Sequence, residues 1–266
     1  MATMPVQSGS LHYQIEGDEG APWLILSNSL GTALEMWDPQ MPALLRQFRV
    51  LRYDTRGHGR SEVTPGPYTI AQLGADVIGL MDGLDIARAH FCGLSMGGMT
   101  GMWLGIHHPQ RVGRLALCNT AARIGPPELW NARIAKVTSE GMASIAPAVI
   151  DRWFTPRFQQ EARQQVERVR AMLESMPPDG YAACCAAVRD MDQRGALGRI
   201  QAPTLVIAGT HDGSTPPADG RAVAGCIAGA RYVELDAAHL SNWEQCEQFT
   251  DAVVGFLNEG APQASA

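Results

Sequence analysis

One short motif constrains this chain more than any other feature of its sequence. A serine, Ser95, stands between two glycines, Gly93 and Gly97, in the pattern Gly-x-Ser-x-Gly. Residues 90–93 before it predict a strand, and residues 96–107 after it predict a helix. A serine at such an abrupt turn has a strained backbone, and its hydroxyl projects from the carboxyl edge of a sheet. The two glycines leave room where the strand and the helix crowd together.

Alternating strand and helix patterns surround this motif. Brief apolar runs closed by turn-forming residues, typical of buried parallel strands, occur at residues 23–26, 48–53, 111–118, 204–209 and 231–235. A helical repeat over residues 69–84 opens with Thr69 and Gln72, a pair that can form a capping box. Residues 11–15 alternate apolar and polar side chains and predict an edge strand. The alternation predicts an α/β fold with a mostly parallel, doubly wound sheet.

The middle of the chain departs from this alternation. Helical patterns fill it at residues 128–137, 147–154, 161–172 and 181–191, and none of its segments predicts a strand. The alternation resumes at residue 204 and ends with one helix over residues 242–257. We therefore expect a helical cap over residues 120–199, inserted into a core domain formed by residues 1–119 and 200–266. The residues after Gly260 are expected to fray.

Composition narrows the class of protein. The 266 residues are 45% apolar, which allows one sizeable core. The net charge of −6 comes without a basic stripe, so nucleic acid is not an expected partner.

Residues 1–14 lack the pattern of a secretory signal, and no apolar run suits a membrane span. None of the six cysteines forms a C-x-x-C pair, so we expect a cytoplasmic protein with reduced core cysteines and no structural zinc. The sequence leaves the oligomeric state open.

A serine hydroxyl needs a neighbouring base, which in turn needs an acid to orient it. His239 stands a few residues after the last predicted strand, where a loop can reach Ser95. Asp212 follows the second-to-last strand, and the chain order serine, aspartate, histidine is that of α/β hydrolases. Asp236 is a rival acid but is expected to be a turn residue. Asn119, at another strand end, cannot carry the negative charge.

A tetrahedral intermediate also needs two hydrogen-bond donors. The N–H of Met96, directly after the serine, is the first predicted donor of an oxyanion hole. The N–H of Leu30, in the loop after the strand at residues 23–26, is the second. An ordinary polar turn is the alternative interpretation of residues 28–31.

At this point the chain resembles a known superfamily and, within it, a narrower family. The motifs that resemble the α/β-hydrolase superfamily are DTRGHGRS at 54–61, GLSMGG at 93–98, and the segments around Asp212 and His239. Together they extend over nearly the whole chain. The segments that are similar to the 3-oxoadipate enol-lactonase family are SNSLG at 27–31, Met36–Trp37, CCAAVRD at 184–190 and AAHLSN at 237–242. Those enzymes are cytoplasmic and belong to the bacterial β-ketoadipate pathway of aromatic breakdown.

The resemblance implies an activity. Ser95 would attack the carbonyl of a five-membered enol-lactone that bears a carboxymethyl group, without a metal or an organic cofactor. A substrate carboxylate suits an arginine, and we expect Arg133 to bind it, with Trp130 or Trp153 shaping the pocket. Trp130 and Arg133 are three residues apart and can share one helix face. The other candidate cations of the cap are Arg123, Lys136, Arg152, Arg157 and Arg189.

Other functions fit the same motifs. A carboxylesterase, a C–C bond hydrolase and a cofactor-free perhydrolase can all share Ser95, Asp212 and His239. Haloalkane dehalogenases and most epoxide hydrolases carry aspartate at the position of Ser95, which argues against both. A non-enzymatic binder of small molecules on a hydrolase fold is a remote alternative.

Overall fold

A computed structural model of the chain describes residues 2–259. One sheet contains eight strands: β1 (Ala2–Val6), β2 (Gly9–Glu16), β3 (Trp23–Ser27), β4 (Arg49–Tyr53), β5 (Ala89–Leu94), β6 (Val112–Cys118), β7 (Thr204–Gly209) and β8 (Arg231–Leu235). Their order is β1-β2-β4-β3-β5-β6-β7-β8. Strand β2 runs antiparallel to both of its neighbours, and the remaining pairs are parallel. The predicted α/β class with a mostly parallel sheet is confirmed.

Eleven α-helices accompany the sheet in the described residues: α1 (Met41–Leu44), α2 (Ile70–Gly83), α3 (Met96–His107), α4 (Pro127–Glu140), α5 (Ala146–Trp153), α6 (Pro156–Glu161), α7 (Arg163–Glu174), α8 (Pro178–Asp190), α9 (Pro217–Cys226), α10 (Ser241–Glu244) and α11 (Cys246–Leu257). Within residues 2–259, none of them combines the length and the apolar character that crossing a bilayer requires. The predicted capping residue Thr69 accepts a hydrogen bond from the Gln72 N–H at 3.1 Å, at the start of α2.

The position of β2 corrects one prediction. Residues 11–15 do lie in a strand, but β1 covers its outer side, where Thr3 lies opposite His12. Strand β4 pairs with its inner side. The expected edge strand is therefore wrong, because the short segment ATMPV was not recognised as a strand. Pro5 is tolerated there since an edge strand leaves one row of N–H positions without a partner strand.

The last predicted helix is also different from the structure. Residues 242–257 were expected to form one helix, but the chain forms α10 and α11 with a break at Gln245. Gln245 has φ −122° and ψ 52°, which is outside the helical region. Its side-chain amide donates to the Asp236 carbonyl at 2.9 Å, a contact that the local sequence pattern does not predict.

Parallel strands at the centre of the sheet bring the functional loops together. Strands β3, β5, β6 and β7 are buried over nearly their whole length, and α3 packs against β5 and β6. The carboxyl ends of parallel strands lie at one edge of a sheet, and ligands bind there in α/β folds. The loops that follow β3, β5, β7 and β8 therefore converge. These loops contain Leu30, Ser95, Asp212 and His239 respectively.

Residues 119–203 connect β6 to β7 through α4–α8, without any strand. Helix α4 packs against α8, and α5 packs against α7. Helix α8 also meets the core directly at Gly180: a Cβ there would come within 2.0 Å of the Gly57 carbonyl oxygen. A backbone approach this close admits only glycine. The expected cap boundaries at residues 120 and 199 stay a prediction, and the predicted frayed tail after Gly260 lies outside the described residues.

The cysteines are all free thiols. Cys92, Cys118, Cys184 and Cys185 are buried, as the apolar neighbours of Cys92 and Cys118 indicated. The same argument is wrong for Cys226, which is exposed although Ile227 follows it. Burial raises the pKa of the Cys184 and Cys118 thiols well above its ordinary value. Both groups therefore remain protonated near neutral pH and behave as small apolar side chains.

Candidate active site

Ser95 occupies the turn between β5 and α3 in a conformation that non-glycine residues rarely adopt, with φ 57° and ψ −115°. Two hydrogen bonds hold this strained backbone. Its N–H donates to the Cys118 carbonyl at 2.9 Å, and its carbonyl accepts from the Thr120 hydroxyl at 2.8 Å. Strain of this kind persists only where the surroundings over-determine it, and it concentrates at functional sites.

The two motif glycines are required for the reason that the sequence indicated. A Cβ on Gly93 would come within 2.2 Å of the Gly97 carbonyl oxygen, and one on Gly97 within 2.1 Å of the Ser27 carbonyl oxygen. Both neighbours are backbone atoms and cannot swing away. Without these glycines, the helix start could not lie so close to β3 and β5.

His239 and Asp212 form a buried pair. His239 Nδ1 lies 2.8 Å from Asp212 Oδ2, and the exposed fractions of the two side chains are 3% and 0%. Nδ1 is therefore the protonated nitrogen that donates to the carboxylate, and Nε2 is left as the potential base. The predicted rival Asp236 lies elsewhere: it pairs with His211 Nε2 at 2.8 Å on the surface.

The Asp212 carboxylate is surrounded by donors. Oδ1 accepts the N–H groups of Ser214 and Thr215, at 2.8 and 3.0 Å. Oδ2 accepts the Thr215 hydroxyl at 2.8 Å and the Asn119 amide at 3.1 Å. Burial alone would raise the pKa of this carboxyl, but the pairing with His239 and these hydrogen bonds outweigh burial and hold the pKa below its ordinary value. The group is thus ionised at neutral pH.

Two of these partners, Asn119 and Thr215, were not predicted from the sequence. Asn119 was considered only as an acid position, yet it donates to Asp212 and accepts the Ser241 hydroxyl at 2.6 Å. Thr215 follows Asp212 by three residues, and an aspartate that accepts from N–H groups two and three residues ahead is an ordinary Asx turn. The segment Asp-Gly-Ser-Thr carries that signal in the sequence.

The two predicted donors to an oxyanion are the N–H groups of Met96 and Leu30. Met96 begins α3, so its N–H is one of the first-turn amides that have no acceptor within the helix. Leu30 lies in the loop after β3 and is 7% exposed. Its N–H makes no hydrogen bond with any of the residues 2–259, whereas the N–H groups of Gly31 and Thr32 both have acceptors.

A cavity of about 550 Å³ joins these groups to the cap. Ser95, His239 and Leu30 lie on its core side. All three predicted substrate-binding residues line its cap side: Trp130, Arg133 and Trp153. The structure therefore brings Ser95, His239 and the three predicted substrate-binding side chains to one cavity, whereas Asp212 lies behind His239 and does not line it. The roles assigned to them stay predictions.

The cavity has a one-sided charge. Arg133, Lys136 and Arg152 line it, and no described lining residue is Asp or Glu. The Arg133 guanidinium lies 4.9 Å from the centre of the Trp130 ring, within range of a cation–π contact. Arg157 and Arg189, two other candidates in the cap, do not line the cavity and pair with Glu161 and Asp190 instead.

Within residues 2–259, no group of three or more His, Cys, Asp or Glu side chains is arranged to hold a metal ion.

The fold and these contacts define a class of protein, and comparison with known families agrees. Residues 22–245 match the alpha/beta hydrolase fold family. The chain belongs to this family and is a hydrolase of the α/β type.

Individual relatives show which members of the family the chain is similar to. The chain is 45% identical over 251 residues to 3-oxoadipate enol-lactonase 2 of Acinetobacter baylyi, with 94% of each protein covered. It is 53% identical to the enol-lactonase of Burkholderia xenovorans, whose crystal structure it matches with a TM-score of 0.96 over 97% of this chain and 100% of the other. A malate-bound thermophilic esterase of Thermogutta terrifontis is 30% identical, with a TM-score of 0.90 over 97% and 98% of the two chains. The predicted resemblance to 3-oxoadipate enol-lactonases is confirmed.

Proposed function

We propose that this chain is a serine hydrolase that opens an enol-lactone ring, converting 3-oxoadipate enol-lactone to 3-oxoadipate in aromatic catabolism. The observation that carries the proposal is the cavity, which is lined by Ser95, His239, Arg133 and Arg152 and by no Asp or Glu among the described residues. Lys136 also lines it but pairs with Glu140 at 3.4 Å. A neutral ester would gain nothing from that charge, whereas a lactone with a carboxymethyl group would. The likeness to enol-lactonases of two bacteria over nearly the full chain supports the same substrate.

The first half of the reaction forms an acyl-enzyme. Ser95 Oγ attacks the lactone carbonyl while His239 Nε2 takes the hydroxyl proton, and Asp212 stabilises the imidazolium that results. The N–H groups of Leu30 and Met96 donate to the oxyanion. The ring C–O bond then breaks. Its oxygen leaves as an enolate, which is a better leaving group than an alkoxide. The imidazolium gives up the proton taken from Ser95 to this leaving group, which becomes a ketone once the proton is on carbon, and His239 is neutral again.

The second half releases the product. A water molecule gives its proton to His239 Nε2 and attacks the acyl carbon, and the Ser95 oxygen leaves with a proton returned by the imidazole. The new carboxylate and the existing one make 3-oxoadipate a dianion. No step in this scheme calls for a metal or an organic cofactor.

Arg133 is the proposed partner of the substrate carboxylate. Its side chain is half-buried, lies against Trp130 and has no carboxylate partner among the described residues. A guanidinium can hold a carboxylate through two parallel hydrogen bonds, which fixes the ring as well as binding it. Trp130 and the buried Trp153 supply apolar walls around the lactone ring. A cytoplasmic location fits an enzyme acting on such a small anionic metabolite.

A substrate comparison tests the proposal. We expect kcat/KM for 3-oxoadipate enol-lactone, followed by loss of its ultraviolet absorbance, to exceed that for 4-nitrophenyl acetate by at least about 10²-fold. We attribute this difference to two interactions that the aryl acetate lacks: the contact of the substrate carboxylate with a cation, and the fit of the lactone ring in the cavity. Faster turnover of the aryl acetate would contradict the proposal and favour a general esterase.

A further inference from the structure

The 28–32 loop after β3 is fixed by more contacts than a polar turn needs. The Gly31 N–H donates to His58 Nε2 at 2.9 Å. The Ser29 carbonyl accepts both the Thr32 hydroxyl at 2.8 Å and the Thr32 N–H at 3.2 Å. Two consecutive peptide planes are thereby held, one on each side of Leu30.

Peptide geometry gives these contacts a consequence. In a trans peptide, the carbonyl and the N–H point in opposite directions. The Thr32 contacts hold the Ser29 carbonyl, and they therefore aim the Leu30 N–H the opposite way. The His58 contact holds the Gly31 N–H, so the Leu30–Gly31 peptide cannot rotate and shift the Ser29–Leu30 peptide before it. The Leu30 N–H lies between these two anchors and has no acceptor among the described residues.

The His58 imidazole stays neutral near neutral pH, so its Nε2 can accept the hydrogen bond from Gly31. It is completely buried, and burial lowers its pKa to about 4, so it is neutral near neutral pH. Its Nδ1 faces the Arg56 carbonyl at 3.4 Å and the Cys184 sulfur at 3.8 Å. These neighbours place the ring proton on Nδ1 and the lone pair on Nε2, towards Gly31.

The cap closes the loop from the other side. Gly31 has φ +83°, and a Cβ there would lie 2.7 Å from Leu173 Cδ1 and 3.0 Å from Tyr181 Cε2. The Tyr181 ring also packs near the His58 ring, with 6.3 Å between their centres. A loop enclosed between a buried imidazole and two cap side chains has few alternative conformations.

We propose that His58 and Thr32 are positioning residues, which lock the 28–32 loop so that the Leu30 N–H is already aimed at the oxyanion before substrate binds. This inference rests on the proposed function, in which Leu30 is an oxyanion donor. Neither residue touches the substrate in this account. Their effect is transmitted through the peptide planes of the loop, so it acts on the transition state and not on substrate binding.

Three histidine variants test the proposal. His58→Leu removes the acceptor at similar volume, and His58→Gln restores an acceptor near the place of Nε2. His90→Leu is the matched control, because His90 Nδ1 accepts the Arg114 N–H at 3.0 Å near the opposite end of β5. We expect H58L to lose about 10- to 100-fold in kcat for the enol-lactone with KM nearly unchanged. H58Q should recover most of this loss, and H90L should keep the wild-type kcat.

A fourth variant keeps the proposal testable if H58L does not fold. Thr32→Val preserves the shape and removes the hydroxyl, and it should lower kcat about 3- to 30-fold, again without a matching rise in KM. Equal kcat in wild type, H58L and T32V, or equal losses in H58L, H58Q and H90L, would overturn the positioning role. Absence of enol-lactone hydrolysis in the wild type would instead overturn the proposed function.

Discussion

His239 Nδ1 lies 2.8 Å from Asp212 Oδ2, and both side chains are buried. That contact fixes the tautomer of the imidazole, and it is itself fixed by the donors from Asn119 and Thr215. The Asp212 carboxylate is thus held by three segments of the fold. The loops after β6, β7 and β8 all contribute to one carboxylate–imidazole pair.

Replacing Asp212 with asparagine tests this pair. The amide cannot stabilise the imidazolium and favours the other tautomer, so kcat should fall about 10⁴-fold. Asp236→Asn is the control, because Asp236 pairs with His211 on the surface and should leave kcat unchanged. Steady-state kinetics of both variants with the enol-lactone would decide; a small loss in D212N, or a similar loss in D236N, would contradict the assignment.

Replacing Arg133 with glutamine tests the carboxylate partner. Loss of a charge-assisted hydrogen bond of about 1.5–3 kcal/mol predicts a rise in KM of about 10- to 150-fold for the carboxylated lactone. A neutral ester should be turned over as before. Arg157→Gln is the control, since Arg157 pairs with Glu161 outside the cavity. Equal effects of R133Q on the two substrates would show that Arg133 does not recognise the carboxylate.

Replacing Gly97 with alanine tests the steric account of the turn at Ser95. The new Cβ would lie 2.1 Å from the Ser27 carbonyl oxygen, so the backbone must shift. We expect a loss of about 1–3 kcal/mol in the free energy of unfolding together with a lower kcat. Gly225→Ala in α9 meets nothing within 4 Å and should be neutral or stabilise by up to about 1 kcal/mol. Urea denaturation compares them, and an unaffected G97A would refute the argument.

The buried His58 predicts a pH dependence of stability. Its pKa is lowered to about 4 in the folded chain. Between pH 6.5 and about 4, His58 is therefore protonated in the unfolded chain and neutral in the folded chain. Stability therefore falls as the pH falls through this window, by about 3 kcal/mol in total from this group. His58→Gln lacks the titrating group and should lose less. Urea midpoints of both proteins at pH 7.0, 5.5 and 4.5 measure this; identical slopes would contradict it.

Sequence reasoning predicted the main residues of the candidate site because their signals are local. The elbow around Ser95, the loop positions of Asp212 and His239, and the strand–helix alternation each follow from short patterns. Such patterns could not show that His58 is buried beneath the cap, since the motif DTRGHGRS looks like an exposed turn. That environment depends on Tyr181 and Cys184, more than 120 residues away in the sequence.

The sequence could not show which cationic side chains of the cap line the cavity, and the reason is again long-range packing. Six cationic side chains in the cap were candidates, and three of them reach the cavity: Arg133, Lys136 and Arg152. Which ones do so depends on how α4 packs against α8 and how α5 packs against α7. The edge position of β1 was missed for a related reason, since a five-residue strand containing Pro5 carries too weak a pattern to be recognised alone.

Covalent labelling of Ser95 tests the central claim most directly. A fluorophosphonate should modify the folded protein at one serine, which peptide mass spectrometry should identify as Ser95, and enol-lactone hydrolysis should disappear in proportion to the modified fraction. Ser95→Ala should neither label nor hydrolyse the lactone. A fully labelled protein that keeps its activity, or an adduct on another residue with Ser95 unmodified, would contradict the account.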